Sequence, residues 1–230
     1  MENNNLIAAI PEIKGPLLDV FLEAGWYRYG DMIFTTNVLE DFQQTYSAYW
    51  LRYDVPKVIP GRKEEKIIRK GDGFVTSISD FKNSDELEEL HSLYFESIKF
   101  ITSFSIADLM IDTDNRVFDS KLLTVRNNGR LIAAGIFDEG KNAIAGIKNI
   151  YHPEYKKFSF GKYMMWKKLQ YCLKKNIKWY YPGYFAPGND RFDYKLDVDR
   201  NATEVLMPEE KQWVSLQRFF QIQSTIQPLT

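Results

Sequence analysis

The sequence predicts an α+β fold in which helices flank a mixed, mostly antiparallel sheet. The main evidence is the segment 118–153, where apolar residues form three strand-like runs and Asn128-Gly129 marks a tight hairpin turn. This pattern is typical of an antiparallel meander. Apolar residues at helical spacing precede and follow the segment, and the aromatic-rich run 177–185 predicts one more strand.

A small β-rich extension is predicted before this core. The run 15–26 has Pro16 near its start and Gly25 near its end, which is the usual asymmetry of a short helix. The run 26–36 then indicates two strands that turn at Gly30. We therefore expect one helix followed by a hairpin.

The charged stretch 60–73, bounded by Pro and Gly, is the best candidate for a domain boundary. A boundary here divides the chain into a helix plus β extension over 1–60 and a larger domain over 61–230. The alternatives are a plain surface hairpin at 60–73 and a single compact unit over the whole chain.

Three helices are expected in the larger part. The first follows Ser84 and has apolar positions at Leu87, Leu90, Tyr94, Ile98 and Ile101. The second begins at the sequence SFGK, with a buried stripe of Met165, Trp166, Leu169, Cys172 and Leu173. The third spans 208–220 and is opened by Pro208 and two glutamates.

Composition excludes several classes of protein. The 30 Lys and Arg residues against 31 Asp and Glu residues favour no particular partner, and the single cysteine excludes an intramolecular disulfide and a cysteine-cluster metal site. His91 and His152 form no metal motif and are expected to be structural, and 112–115 indicates a turn rather than a calcium loop. We expect no signal peptide, no membrane span and no metal, hence a soluble cytoplasmic protein.

Charge is uneven along the chain. The segment 141–178 holds ten lysines and a single acid, Glu154. On the helix within it, Lys167 shares a face with Lys174 and Lys168 shares a face with Lys175, opposite the apolar stripe. This face is either an ordinary solvated surface or a platform for RNA or polyphosphate.

The helix start SFGK is a candidate anion site. Backbone N–H groups, the helix dipole, a small residue and a lysine come together at Ser159, Gly161 and Lys162. The alternative is a helix cap that holds no ligand. With Lys167 and Lys174, these three residues make up the predicted tRNA- or phosphate-binding set.

Two resemblances connect these elements to known proteins. The order of long helix, three antiparallel strands, glycine-containing helix start, helix and strand resembles the core of a GNAT-type acyltransferase. The stretch YYPGYFAPGNDRFDYK, 180–195, resembles the signature of the arginyl/leucyl-tRNA–protein transferases. In that signature Gly183, Tyr184, Tyr194 and Lys195 match, while Arg191 and Phe192 stand for lysine and methionine.

The family resemblance extends to most of the chain, about 17–206. Upstream, Gly25, Trp26, Arg28 and Gly30 match a family motif, and SFGK is similar to the family's helix start. One departure is clear. Where the family motif continues into a cluster of cysteines, this chain has none, so it is a divergent member.

The resemblance implies a function and a site. It implies aminoacyl-tRNA-dependent transfer of an amino acid, of the arginine or leucine class, to the N-terminus of proteins that start with an acidic residue, as a modification for turnover. Its partners are an aminoacyl-tRNA and an acceptor protein, with no cofactor. The implied catalytic residues are Tyr184, Tyr194 and Lys195, and the implied substrate-binding residues are Arg28, Gly183, Arg191 and Asp193.

Two alternatives remain open on the same fold. One is an N-acetyltransferase that uses acetyl-CoA, although the helix start has fewer glycines than the usual pyrophosphate loop. The other is a catalytically inactive descendant that binds RNA or a peptide.

Overall fold

The computed structural model describes residues 12–41, 44–98, 100, 102–111 and 115–226. Ile101 of the first expected helix, most of the expected turn at 112–115 and the start of the chain lie outside these residues.

The described residues form six α-helices and twelve strands. The helices are α1 Pro16–Glu23, α2 Arg62–Gly71, α3 Asp85–Ser97, α4 Ile106–Met110, α5 Phe160–Lys175 and α6 Leu216–Ile226. The strands are β1 Tyr27–Tyr29, β2 Met32–Phe34, β3 Val38–Asp41, β4 Gln44–Ser47, β5 Tyr49–Asp54, β6 Val75–Asp80, β7 Ser120–Asn127, β8 Arg130–Glu139, β9 Ala143–Tyr151, β10 Trp179–Phe185, β11 Thr203–Met207 and β12 Gln212–Ser215. Short 3₁₀ helices span Val55–Lys57, Pro153–Phe158 and Asp190–Lys195.

The predicted fold class is confirmed. An eight-stranded sheet has the order β12-β11-β5-β10-β9-β8-β7-β6, and β1-β2 and β3-β4 form separate hairpins. Only the β9–β10 pairing within the eight-stranded sheet is parallel. The meander over β7, β8 and β9 is as expected, and Asn128 and Gly129 both have positive φ, at 49° and 85°, as a tight hairpin turn requires.

The N-terminal segment contributes to the middle of this sheet. β5, which belongs to the predicted 1–60 unit, lies between β10 and β11 and pairs with both. Its residues from Trp50 to Asp54 are buried. The division at residue 60 stays a prediction, and the place of β5 favours the alternative of one compact unit.

Three local expectations were wrong. The stretch 60–73 holds the helix α2 rather than a hairpin, and Gln212–Ser215 is a strand rather than part of a helix from Pro208. The helix after Ser84 ends at Ser97, so Ile98 is its C-cap. Pro208 and two glutamates imitate a helix start, but the chain turns back there so that β12 can pair with β11.

The main core packs α5 against one face of the sheet. Met165, Trp166, Leu169 and Cys172 are buried as the helical spacing predicts. Leu173, expected in the same stripe, is instead 53% exposed. This helix also carries its N-terminus to the site described next.

Candidate active site

The candidate active site lies where two neighbouring strands separate. β9 and β10 pair in parallel only over 143–145 and 179–181. Beyond these pairs β9 continues along β8, and β10 continues along β5. The facing edges 146–151 and 182–185 are therefore not paired with each other, and the strands open into a wedge.

A cavity of about 610 Å³ fills this wedge. Its size is in the range of a small-molecule site. Among the described residues, no Asp or Glu contributes to its wall. Its charged residues are all basic: Arg28, Lys148, Lys162, Lys168, Arg191 and Lys195.

Pro182 and Gly183 break the regular pairing of β10 at the cavity. The register against β5 shifts between Tyr180 and Gly183, since proline has no N–H to donate. Gly183 has a φ of 95°, a conformation that favours glycine. A Cβ at this position would also lie 3.3 Å from the Nζ atom of Lys195, so Gly183 gives that amine room beside the strand.

Lys195 is buried at the cavity wall. Its Nζ atom donates a hydrogen bond of 2.6 Å to the carbonyl oxygen of Tyr184, and its own carbonyl accepts one of 2.6 Å from the hydroxyl of Tyr53. Burial and the nearby charge of Arg191 lower the pKa of Lys195 to about 7. The Lys195 amine is thus protonated in only part of the molecules at neutral pH.

Arg191 and Lys148 bring further positive charge into the wedge. The Arg191 guanidinium stacks over the Phe100 ring at 4.1 Å and lies 3.6 Å from a carboxylate oxygen of Asp41. Lys148 projects from β9 and donates to the hydroxyl of Thr102. Burial and the charge of Arg191 lower the pKa of Lys148 to about 8. A cation that lowers the pKa of a neighbouring cation favours an anionic ligand between the two.

Tyrosines line much of the remaining wall. Tyr184 and Tyr194 are half-buried, and Tyr94 packs edge to face on Tyr151 at 5.3 Å. Burial raises the pKa of Tyr184 and of Tyr194, and it raises that of Tyr94 to about 12. These phenols therefore stay protonated at neutral pH and can donate hydrogen bonds.

The N-terminus of α5 opens onto the same cavity. Ser159, Gly161 and Lys162 all contribute to the wall. A Cβ built on Gly161 meets no atom within 4 Å, which leaves the first N–H groups of the helix accessible to a ligand. The Lys162 amine is turned toward the carboxylate of Asp197, at 2.8 Å.

Lys168 is buried, contrary to the position expected from the sequence. It was expected on a solvated face with Lys175, but it is 1% exposed and lies on the cavity wall. Its Nζ atom donates to the carbonyl oxygen of Ile136 at 3.1 Å and to Oδ1 of Asn149 at 2.9 Å. Burial lowers the pKa of Lys168 to about 7.

Arg28 reaches the cavity wall, but its guanidinium is already engaged. It donates to the carbonyl oxygens of Gly30 and Met110, to the hydroxyl of Ser120 at 2.7 Å and to Asp138 at 3.0 Å. These bonds join the β1–β2 hairpin to α4, β7 and β8. The geometry gives Arg28 this structural task, and its substrate-binding role stays a prediction.

Three other predicted residues are not brought to the cavity. Asp193 is exposed on the 3₁₀ helix Asp190–Lys195, and Lys174 is exposed in the last turn of α5. Lys167 forms an ion pair of 2.7 Å with Asp72. Their predicted roles in substrate or tRNA binding gain no support from the cavity.

Sequence reasoning missed Lys148, Lys168, Asn149 and the tyrosines of α3 and β9. Lys148 lies next to Ile147, the extra residue at a register shift between β8 and β9. The bulge aims β9 side chains at the wedge. The mixed run AIAGIKNIY does contain a lysine in an apolar strand, and that is the one available signal.

The sheet, its diverging strands and the basic cavity define a GNAT-like acyltransferase fold. The crystal structure of FemX shares this fold. Its TM-score is 0.51 at 10% identity, and the match covers 89% of this chain and 70% of that chain. Among the described helices, none combines the length and apolar character needed to cross a membrane. Nor do the described His, Cys, Asp and Glu residues form a group that could hold a metal ion.

Sequence comparisons identify the family. A family model described as "Arginine-tRNA-protein transferase, C terminus" matches residues 74–203, more than half of the chain. A protein of Leptospira interrogans called aspartate/glutamate leucyltransferase is 22% identical over 216 residues, 90% of this chain and 82% of that protein. One of the same name from Campylobacter jejuni is 23% identical over 202 residues, 84% and 83% of the two chains. The chain belongs to the arginine-tRNA–protein transferase family and is an aminoacyltransferase, as the sequence resemblance implied.

Proposed function

We propose that this enzyme transfers leucine from leucyl-tRNA to the N-terminus of proteins that begin with Asp or Glu. The observation that carries the proposal is the wall of the cavity, where the charged side chains are all basic and no described acid lies among them. The name shared by the Leptospira and Campylobacter relatives supports the same substrates.

The acidic side chain of the acceptor fits the basic part of the wedge. Arg191 can bind a carboxylate through two parallel hydrogen bonds, and its stacking on Phe100 holds the guanidinium in place. Lys148 supplies a second cation, since its pKa of about 8 keeps most molecules protonated at neutral pH. An incoming carboxylate would raise that pKa back toward its ordinary value and relieve the repulsion between the two cations.

The same wall favours leucine over arginine as the transferred residue. An arginyl side chain would bring another cation into a partly buried, wholly basic cavity, with no described carboxylate on its wall to pair with it. A leucyl side chain needs only apolar surface. Phe34, Trp50 and Tyr27 provide it, with Trp50 stacked on Tyr27 at 3.6 Å.

The chemistry requires a free amine, a held ester and a stabilised oxyanion. The acceptor α-amine gives up its proton and attacks the ester carbonyl carbon of leucyl-tRNA. The tetrahedral intermediate then expels the ribose oxygen, which takes up the proton that the amine released, and a peptide bond remains. Lys195 in its neutral form can accept the amine proton, and its position beside Tyr184 and Gly183 is fixed by hydrogen bonds.

The tyrosine hydroxyls suit the oxyanion. Tyr184 and Tyr194 remain protonated because burial raises the pKa of each, so both can donate to developing negative charge. We propose that the reaction uses no metal and no cofactor, with aminoacyl-tRNA as co-substrate. Under this proposal a cysteine cluster is unnecessary for transfer. The role in protein turnover rests on the family resemblance.

A transfer assay with labelled aminoacyl-tRNAs tests the proposal. Leucyl-tRNA and arginyl-tRNA would each be offered with peptides that start with Asp, Glu, Asn or Gln and are otherwise identical. We expect leucine on the Asp and Glu peptides, with the amides as isosteric uncharged controls. Equal transfer to the Asn peptide would contradict acid selection, and transfer of arginine alone would contradict the choice of donor.

The acetyl-CoA alternative is tested separately by ligand-induced stabilisation. A ligand that binds the folded state raises the melting temperature by mass action. We expect no shift with acetyl-CoA. A raised melting temperature, together with acetylation of the peptides and no leucine transfer, would contradict the proposal and support the N-acetyltransferase alternative.

A further inference from the structure

The outward face of α2 is a row of cations. Ile67 and Ile68 turn inward and pack on the main core. At 100° per residue the basic residues fall within a 120° arc on the opposite side. They are exposed and span about 12 Å along the helix: Arg62, Lys63, Lys66, Arg69 and Lys70.

These five cations outnumber the two acids of their own helix, Glu64 and Glu65, and they differ from three lysines of α5 in their ion pairs. Lys162, Lys167 and Lys175 of α5 lie within ion-pair distance of Asp197, Asp72 and Glu139. Over the part of the chain that the structure describes, none of the five α2 cations has an ion pair with an acid. Three of the ten lysines in 141–178 are thus paired with an acid.

The helix α2 is linked to the cavity wall through a short neighbouring segment. It contacts the 3₁₀ helix Pro153–Phe158, and Phe74, three residues after α2, packs on Phe158 at 5.0 Å and on Tyr155 at 6.1 Å. Lys156 and Lys157 on this 3₁₀ helix are exposed. Two residues after Lys157 the chain reaches Ser159 on the cavity wall.

We propose that the α2 face, together with Lys156 and Lys157, binds the phosphates of the tRNA acceptor arm while its aminoacylated end enters the cavity. The inference rests on the proposed function, because it takes aminoacyl-tRNA as the co-substrate. A cavity of this size holds only the end of such a molecule, and the phosphates that follow must lie on the surface outside. A row of exposed cations, on a helix that contacts the segment leading to the cavity wall, matches their charge.

Charge reversal with a matched control tests the surface. The double variant Lys63→Glu/Lys66→Glu changes the middle of the α2 face. The control Lys82→Glu/Lys211→Glu makes the same change in net charge at two exposed positions to which no binding role is assigned. Binding of deacylated leucine tRNA would be measured for both and for the unchanged chain over a range of salt concentrations.

The α2 variant should bind the tRNA at least tenfold more weakly. Its plot of log affinity against log salt concentration should be shallower by about 1.5 to 2, because two phosphate contacts are lost. The control should stay within twofold. Equal weakening of both variants would show a general charge effect and overturn the proposal, as would unchanged binding by the α2 variant. If the unchanged chain binds no tRNA, the proposed function fails together with this surface; binding that ignores the α2 change removes the surface alone.

Discussion

Two buried lysines and one half-buried lysine give the cavity its chemical character at the scale of single residues. Burial lowers the pKa of Lys148, Lys168 and Lys195, to about 8, 7 and 7. The surroundings of the Lys168 and Lys195 amines differ. The Lys168 amine is held by Ile136 and Asn149 inside the protein, whereas the Lys195 amine lies against the interrupted strand at the cavity. Lys195 is therefore the better proton acceptor.

Replacing Lys195 by Met should lower kcat for leucine transfer by about 10² to 10⁴, the range for loss of a general base. Because Lys195 must be neutral to accept a proton, transfer by the unchanged enzyme should rise with pH through about 7. The variant should lose that rise and keep only the pH dependence of the peptide amine. Steady-state rates from pH 6 to pH 9 measure this.

Lys195→Arg serves as the control, since it keeps a cation but cannot lose its proton. It should be as inactive as the Met variant and should remain folded. A Met variant that keeps the same kcat and the same pH profile per folded molecule would show that Lys195 is structural.

Lys168 should leave a pH-dependent mark on stability. The unfolded chain keeps the Lys168 proton up to about pH 10.4, whereas the folded chain releases it above about pH 7. Stability due to this residue is therefore lowest below pH 7 and rises toward pH 10. Relative to Lys168→Met, the unchanged protein should gain about 2 kcal/mol in free energy of unfolding between pH 7 and pH 9.

Urea unfolding of both proteins at the two pH values gives this difference directly. The comparison cancels the other lysines, because they are present in both chains. A constant difference between the two proteins would mean that Lys168 keeps its ordinary pKa in the fold.

At the scale of elements, the site depends on a helix start placed against two diverging strands. Each part has a local sequence signal: Pro182-Gly183 indicates the interrupted strand, and SFGK indicates the helix start. Their juxtaposition has none, because it follows from the short parallel pairing of β9 with β10, which no local pattern reveals. For the same reason the sequence did indicate Tyr184 and Lys195, on the interrupted strand and the segment after it, but did not indicate Lys148 or Asn149 across the wedge.

Gly161→Val should obstruct the helix start without unfolding the protein. The new side chain meets no protein atom at its Cβ, and valine costs less than glycine in a helix. It would instead stand over the N–H groups that face the cavity. We expect KM for leucyl-tRNA to rise tenfold or more, with a melting temperature within a few degrees of the original.

Gly161→Ala is the matched control and should have a much smaller effect, because a single methyl group leaves most of the opening free. If valine and alanine change KM equally, or if neither does, the helix start does not contact the co-substrate.

At the scale of the whole molecule, the predictable part of the fold is the part with short-range order. The meander 118–153 and the buried stripe of α5 were recognisable because period and turn chemistry are local. Lys168 was not, since a lysine beside an apolar stripe usually lies in solvent, and only the packing of α5 on β8 and β9 shows it to be buried. The place of β5 was equally hidden, because its partners lie more than a hundred residues further along the chain.

Because β5 lies in the middle of the sheet, we expect a fragment of residues 61–230 not to fold. Without β5, β10 and β11 lose the strand between them, together with the fully buried side chains of Leu51 and Tyr53. Their edges would be left unpaired in the middle of the sheet. The Tyr53 hydroxyl that donates a hydrogen bond to the Lys195 carbonyl would be lost as well.

Far-UV and near-UV circular dichroism with urea titration distinguish the two forms. The fragment 61–230 should lack a cooperative transition and a near-UV signal, whereas the matched fragment 12–226, which keeps β5, should unfold cooperatively like the full chain. A cooperative transition for 61–230, with retained near-UV signal, would show that residue 60 is a true domain boundary. In that case β5 would be an added strand on a sheet that closes without it.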